Sequence, residues 1–230
     1  MLLKIALLVD GAFFIRRAKK CYPAKDVESG SALADLLYQN CMKHLSERRG
    51  NSQKQFDLYR IYVYDADPLN KSVQLPISKT GMHLKNTDTF KERTEFFDRL
   101  VSMRKVALRK GELDKNASWI LKPASLKALL QGKMTWEQLE DKHFEYNTRQ
   151  KQVDMKLGLD IATLSLKRLV GKIVLITGDS DFIPAAKCAR REGIDFVLDP
   201  MWHPITPALS EHVDGIHSFC PKPLKDPSNG

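Results

Sequence analysis

The sequence has no apolar run long enough to span a bilayer. Its N-terminal stretch, Met1 to Val9, is interrupted by Lys4 and closed by Asp10. That stretch imitates a short secretion leader, but no small-residue cleavage site follows cleanly, so it reads as a buried first strand. Cysteine is scarce. The four residues Cys21, Cys41, Cys188 and Cys220 contain no C-x-x-C pair, and none of the six histidines lies at zinc-finger spacing from them. This argues against a zinc module and for the reduced thiols of a cytoplasmic protein. No internal repeat and no domain linker is visible. Composition typical of a flexible tail is confined to Pro221–Gly230, leaving 1–220 as one expected domain.

What is present is an ordinary globular composition, with 43% hydrophobic and 28% charged residues and a net charge of +9. A surplus of that size favours polyanionic partners, nucleic acid foremost.

Apolar patterning alternates between strand and helix. Leu3–Val9 predicts a buried strand. A helix is expected from about Ser31, carrying Leu33, Leu37, Cys41 and Leu45 and stopped by Gly50. Leu58–Tyr64 predicts a second strand, closed by Asp65-Ala66-Asp67-Pro68. A further helix should bury Phe90, Phe97, Leu100 and Val101. Val106–Leu108 and Trp119–Leu121 are short strand candidates, and Thr135-x-x-Gln138 has the form of a capping box opening a helix. Asp154–Leu169 should be helical, Lys172–Thr177 a strand, Pro184–Arg191 a helix closed by Gly193, and Ile194–Leu198 a last strand. The expected fold is α/β: a Rossmann-like three-layer α/β/α domain with a mostly parallel sheet. The stretch 66–150 is long for one crossover and reads as an insertion.

In such a sheet, sites form beyond the carboxyl ends of the strands. Asp10 ends the first strand, Asp65 and Asp67 the second, and Asp179 and Asp181 leave the Lys172–Thr177 strand in "VLITGDSDF". Asp154 opens the helix that feeds that strand. Two like charges about 4 Å apart repel by roughly 4 kcal/mol at an effective ε near 20. Acids gathered at one edge therefore call for a counter-ion, and oxygen donors with little His or Cys select Mg²⁺ or Mn²⁺. Such an ion can activate water for in-line attack on a phosphodiester. Singly, each Asp has a bland alternative as a turn or capping residue. Asp160, six residues after Asp154, is off its line on the helix and is as well suited to a scaffold role.

The segments "LLVDGAF", "RIYVYDADP", "KQVDMKLGLDIATLS" and "VLITGDSDFIPAAKCARREGIDFVL" resemble, in order, the NYN domain of the PIN-like nuclease superfamily, most closely its LabA-like branch. The resemblance spans roughly residues 3–200 and is weakest across the middle insertion. It implies a metal-dependent ribonuclease whose Mg²⁺ or Mn²⁺ ligands and catalytic acids are Asp10, Asp154, Asp179 and Asp181, with Asp160 a further candidate. One departure stands out: many members carry D-G-x-N, whereas Asp10-Gly11 is followed here by Ala12, Phe13 and Phe14.

Nucleic acid, RNA above all, is the expected partner, with no membrane; a homo-oligomer stays open. Arg16, Lys151 and Lys156 flank the acids as candidate phosphate contacts. Lys85–Lys133 holds twelve Lys or Arg against six Asp or Glu, with Phe90, Phe96, Phe97 and Trp119 interleaved, a pattern that can track phosphates and stack bases or form a plain solvated helix surface. His203, in Trp202-His203-Pro204, could reach the sheet edge. Two rivals remain: an aspartyl phosphatase, disfavoured because Ala12 stands where a second acid is needed, and a nucleic-acid-binding or regulatory module with weak or no turnover.

Overall fold

The computed structural model describes residues 2–49, 52–113, 117–148 and 150–223. In chain order the elements are β1 Leu3–Asp10, α1 Gly11–Cys21, α2 Gly30–Lys43, β2 Ser46–Arg49, β3 Ser52–Ala66, β4 Ser72–Gln74, β5 Gly81–His83, α3 Asp88–Val101, β6 Val106–Leu113, β7 Ser118–Leu121, α4 Pro123–Leu130, β8 Phe144–Asn147, β9 Gln150–Lys151, α5 Val153–Leu166, β10 Lys172–Ile176, α6 Ile183–Arg191, β11 Asp195–Asp199, α7 Pro207–Ser210 and β12 Gly215–Ile216.

The main sheet runs β12-β11-β10-β1-β3-β6-β9, with β2 hairpinned onto β3. Its first six strands in that order are mutually parallel, while β2 and β9 are antiparallel additions. Apolar runs at the centre reflect burial on both faces. Along β1, Ile5, Leu7 and Val9 enter one core with Phe14, Leu33, Leu37, Phe96 and Leu100. Ala6 and Leu8 point the other way and pack with Leu157, Ile161, Leu164, Ala186 and Phe196. Helices α1–α3 thus cover one face and α5 and α6 the other, a three-layer α/β/α arrangement.

Several expectations shift. Helix α1 starts directly at the end of β1, with no loop to signal it; Asp10 is both the last strand residue and the helix N-cap. The next helix begins at Gly30, one residue before the Ser31 reading, because Ser29 caps it through Ala32 N, and it ends at Lys43; Gly50 lies outside the described residues. The capping box at Thr135–Gln138 forms, yet it opens only a single 3₁₀ turn. A box sets a start, and propagation needs an apolar stripe that Leu139-Glu140-Asp141-Lys142 does not supply. In α3 the buried residues are Phe96, Phe97 and Leu100, and Val101, in the last turn, is 70% exposed. The stretch 66–150 is not all decoration: α3 packs on α2 and β6 pairs with β3. The additions proper are the β4–β5 ribbon and the β7–α4–β8 segment, whose strands form separate two-stranded sheets. All four cysteines are free thiols, with Cys21 and Cys41 buried on α1 and α2. Among the described residues no helix is long and apolar enough to cross a membrane.

Helices α2 and α3 meet at Gly30. A Cβ there would collide with the Glu92 carbonyl and lie 2.6 Å from Phe96 N. Both obstacles are backbone, so only a helix shift relieves them. Gly30→Ala is expected to destabilise the protein by about 2–3 kcal/mol, read from chemical denaturation midpoints. An unchanged midpoint would show that the two helices separate freely.

Candidate metal centre at the sheet edge

The chain builds the sheet outward from β1: β3 and β6 follow on one side, and β10 and β11 return on the other. The switch point therefore falls between β1 and β10, where a crevice opens beyond the strand ends. Register brings the acids to it. Val9 pairs with Ile176, so Asp10 stands level with the exit of β10 into Thr177-Gly178-Asp179. Asp10 pairs with Tyr64 on β3, which puts Asp65 one step further along that strand. Asp154 lies in the first turn of α5, on the layer covering this edge.

Asp10 is half-buried, and its Oδ1 accepts a hydrogen bond from Phe13 N at 2.9 Å. Burial pushes its pKa up to about 6; the charges of Asp65 and Asp154 push the same way, against the Phe13 N–H and Arg16. Asp154 is exposed, and its pKa is raised by partial desolvation and then by Asp179 and Asp181. Asp179 Oδ1 accepts from Asp181 N at 3.0 Å, capping the turn Ser180–Phe182, while its own N–H donates to buried Thr177 Oγ1. Asp181 lies exposed in that turn. Asp154 thus shares a field with Asp10 on one side and with Asp179 and Asp181 on the other, and perturbed acids such as Asp10 and Asp154 in a crevice are a mark of functional sites.

Among the described residues none of the four is in an ion pair. Equally, no three His, Cys, Asp or Glu side chains there stand close enough to enclose a metal together. The donor chemistry still fits a hard cation. Mg²⁺ takes one or two carboxylates directly and keeps several waters, which suits acids that feel each other's charge without converging.

Asp160 is placed differently. Its Oδ2 accepts from Tyr64 Oη at 2.8 Å and from Arg109 Nε at 2.9 Å. Burial, followed by Asp160, raises the Tyr64 pKa, so the phenol remains a donor. Asp160 is a compensated acid bracing α5 against β3 and β6.

Asp65, which the sequence offers both as one of the strand-end acids and as a common turn residue, proves to be close to Asp10. It is 1% exposed, ion-paired with Arg93, and accepts from Ala66 N at 2.8 Å. Gly11 allows the approach: a Cβ there would lie 2.7 Å from Asp65 Oδ2. Only strand pairing reveals this, since no local signal distinguishes Asp65 from Asp67, which pairs at the surface with Lys110 at 2.7 Å.

Of the candidate phosphate contacts, Arg16 is exposed on α1 and draws the Asp10 pKa down. Lys156 Nζ donates to Lys110 O at 2.6 Å. The side chain of Lys151 lies outside the described residues. Arg17 is buried and donates to Met201 O, and Lys19 pairs with Glu92, so neither faces the acids as a free cation. His203 does reach the edge. Its Nδ1 lies 2.9 Å from where a Cβ on Gly178 would be, and its ring stands edge-on to Phe13 at 5.8 Å.

The family model described as "NYN domain" matches residues 4–216. No curated protein matches. Among solved structures, the chain is similar to a protein of unknown function, VPA0982, from Vibrio parahaemolyticus RIMD 2210633, at 12% identity, covering 97% of this chain and 96% of that one with a TM-score of 0.45. NYN domains fall within the PIN-like nuclease superfamily and are generally nucleases, which implies a nucleic-acid substrate. With the family match running from β1 to β12 and thus taking in every acid of the sheet edge, the chain belongs to the NYN domain family.

Proposed function

We propose that the protein is a Mg²⁺- or Mn²⁺-dependent endoribonuclease of the cytoplasm, hydrolysing RNA phosphodiester bonds at the edge between β1 and β10. The observation that carries this reading is the shared field of the carboxylates: Asp10 is pushed up to about 6 by burial and by Asp65 and Asp154, and Asp154 is raised by burial and by Asp179 and Asp181. A protein keeps carboxylates in one another's field at a strand edge when a cation completes them.

In this reading Asp10, Asp154, Asp179 and Asp181 share the ion, one or two of them directly and the others through its waters. When bound, it lowers the pKa of water and neutralises charge building on the phosphate. The Phe13 N–H fixes the Asp10 carboxylate, and the Asp181 N–H fixes that of Asp179. Asp154 or Asp179 orients the attacking water. Arg16 and Lys156 supply positive charge along the path of the backbone, and the net charge of +9 draws the polyanion in.

A second reading, a nucleic-acid-binding module without turnover, is favoured by one feature. Where many members carry an Asn near the first acid, this chain has Phe13 and Phe14, both buried, and no side-chain amide to orient water. Purified protein incubated with single-stranded and structured RNA, in Mn²⁺ or EDTA, separates the two. The expected result is cleavage in Mn²⁺ only, lost in Asp179→Asn. Binding without cleavage would favour the module, and equal cleavage by both proteins would point to a contaminant.

A further inference from the structure

A cavity of about 350 Å³ opens beside the acid edge, between the added β4–β5 and β7–β8 segments on one side and helix α3 with the ends of β3 and β6 on the other. Trp119 of β7 and Tyr146 of β8 meet edge-to-face at 5.2 Å. Trp119 Nε1 donates to Gln74 O, tying that wall to the β4–β5 ribbon, which contributes Met82. Phe90 and Arg93 of α3 stand in the same lining, and the floor is Asp65 at the end of β3. All three aromatics are partly exposed, whereas Phe96 and Phe97, also interleaved in the basic stretch, are buried in the core and out of reach of a base.

We propose that this cavity receives one unpaired nucleobase of the strand being cut, so that the enzyme selects single-stranded over fully paired substrate. This rests on the nuclease reading above and names the substrate class of that site. The occupant follows from three features. The cavity is within the size range of pockets for small aromatic groups. It offers flat apolar walls together with the guanidinium of Arg93, whose five N–H donors are only partly taken up by Asp65, and a base presents both a π-face and a polar edge. It adjoins the catalytic edge through Asp65, whose Oδ2 lies 2.7 Å from where a Cβ on Gly11, the residue after Asp10, would stand. A base held in a duplex stack cannot enter it.

The test is equilibrium binding of a labelled short single-stranded RNA in EDTA, so that no cleavage intervenes, against the same strand made abasic at each position in turn. Wild type should show one position at which removal of the base weakens binding, by roughly 5- to 150-fold for a stacked base. Trp119→Ala should erase that difference and leave the abasic probe bound as before; Trp119→Phe should retain part of it. Phe90→Leu, on the facing wall, provides the same readout should Trp119→Ala fail to fold, which circular dichroism reports. A flat positional profile, no binding of any single strand, equal binding of the duplex, or equal weakening of intact and abasic probes by Trp119→Ala would overturn the proposal. Cleavage in Mn²⁺, assayed in parallel, keeps the two readings apart. A positional base effect without cleavage refutes the nuclease alone, and cleavage with a flat profile refutes the pocket alone.

Discussion

Replacing Asp10 by Asn should abolish metal-dependent cleavage, a loss of about 10³-fold or more given the several kcal/mol such an ion contributes, and at the same time make the metal-free protein more stable at neutral pH. Asn keeps the N-cap, because its side-chain oxygen can accept the Phe13 N–H as Asp10 does. What it removes is a charge held at an unfavourable place. The folded-state pKa of about 6 lies above the ordinary carboxylate value. Between roughly pH 4 and 6 the folded protein therefore keeps a proton that the unfolded chain has released, and stability falls as pH rises through that window. Two pKa units correspond to about 3 kcal/mol; discounted for the water that reaches this edge, a gain of about 1–2 kcal/mol above pH 7 is expected for Asp10→Asn. The gap should close near pH 4, where both proteins are neutral at this position. Added Mn²⁺ should raise the melting temperature of wild type and leave the variant unmoved. Thermal unfolding across pH, with and without Mn²⁺, measures the stability changes, and RNA cleavage in Mn²⁺ measures the loss of activity. A variant that melts like wild type at every pH and still responds to Mn²⁺ would remove Asp10 from any metal centre.

The second large effect lies beneath the site. Arg93→Ala should cost about 3 kcal/mol, in line with the loss of one partner from a buried ion pair. Asp65 is 1% exposed and the Arg93 side chain 18%, so the carboxylate loses this partner without gaining water in exchange. Asp65→Asn in the Arg93→Ala background should restore part of the loss, because the amide removes the buried charge. A double-mutant cycle in urea gives the coupling. Additive losses would mean that Asp65 is compensated by other groups. Arg93→Lys should fall between, since an ammonium keeps the charge but not the planar fork.

Much of this was already legible in the residues. The alternation of apolar runs and helical stripes predicts a parallel sheet, and Leu3–Val9, Lys172–Thr177, Pro184–Arg191 and Gly193 fall where the pattern puts them, because burial on both faces writes a continuous apolar run into the chain. The order of the motifs carried the family. Boundaries were less legible: α1 follows β1 with no intervening turn, so the mark of its start, the Asp10 N-cap, coincides with the end of the strand, and the box at Thr135 marks a start that nothing extends.

By itself the sequence determined which acids end which strands, since a strand's length and the turn after it are local properties. It could not determine which of those acids meet. Asp65 and Asp160 look alike as isolated carboxylates, yet pairing of β1 with β3 sets Asp65 beside Asp10 across Gly11, and packing of α5 on β3 and β6 hands Asp160 to Tyr64 and Arg109. The aromatic residues divide in the same way, Phe96 and Phe97 into the core, Phe90 and Trp119 into a cavity with Tyr146. Such partners lie tens of residues apart in the chain, and only the folded sheet and its layers decide which of them come within reach of one another.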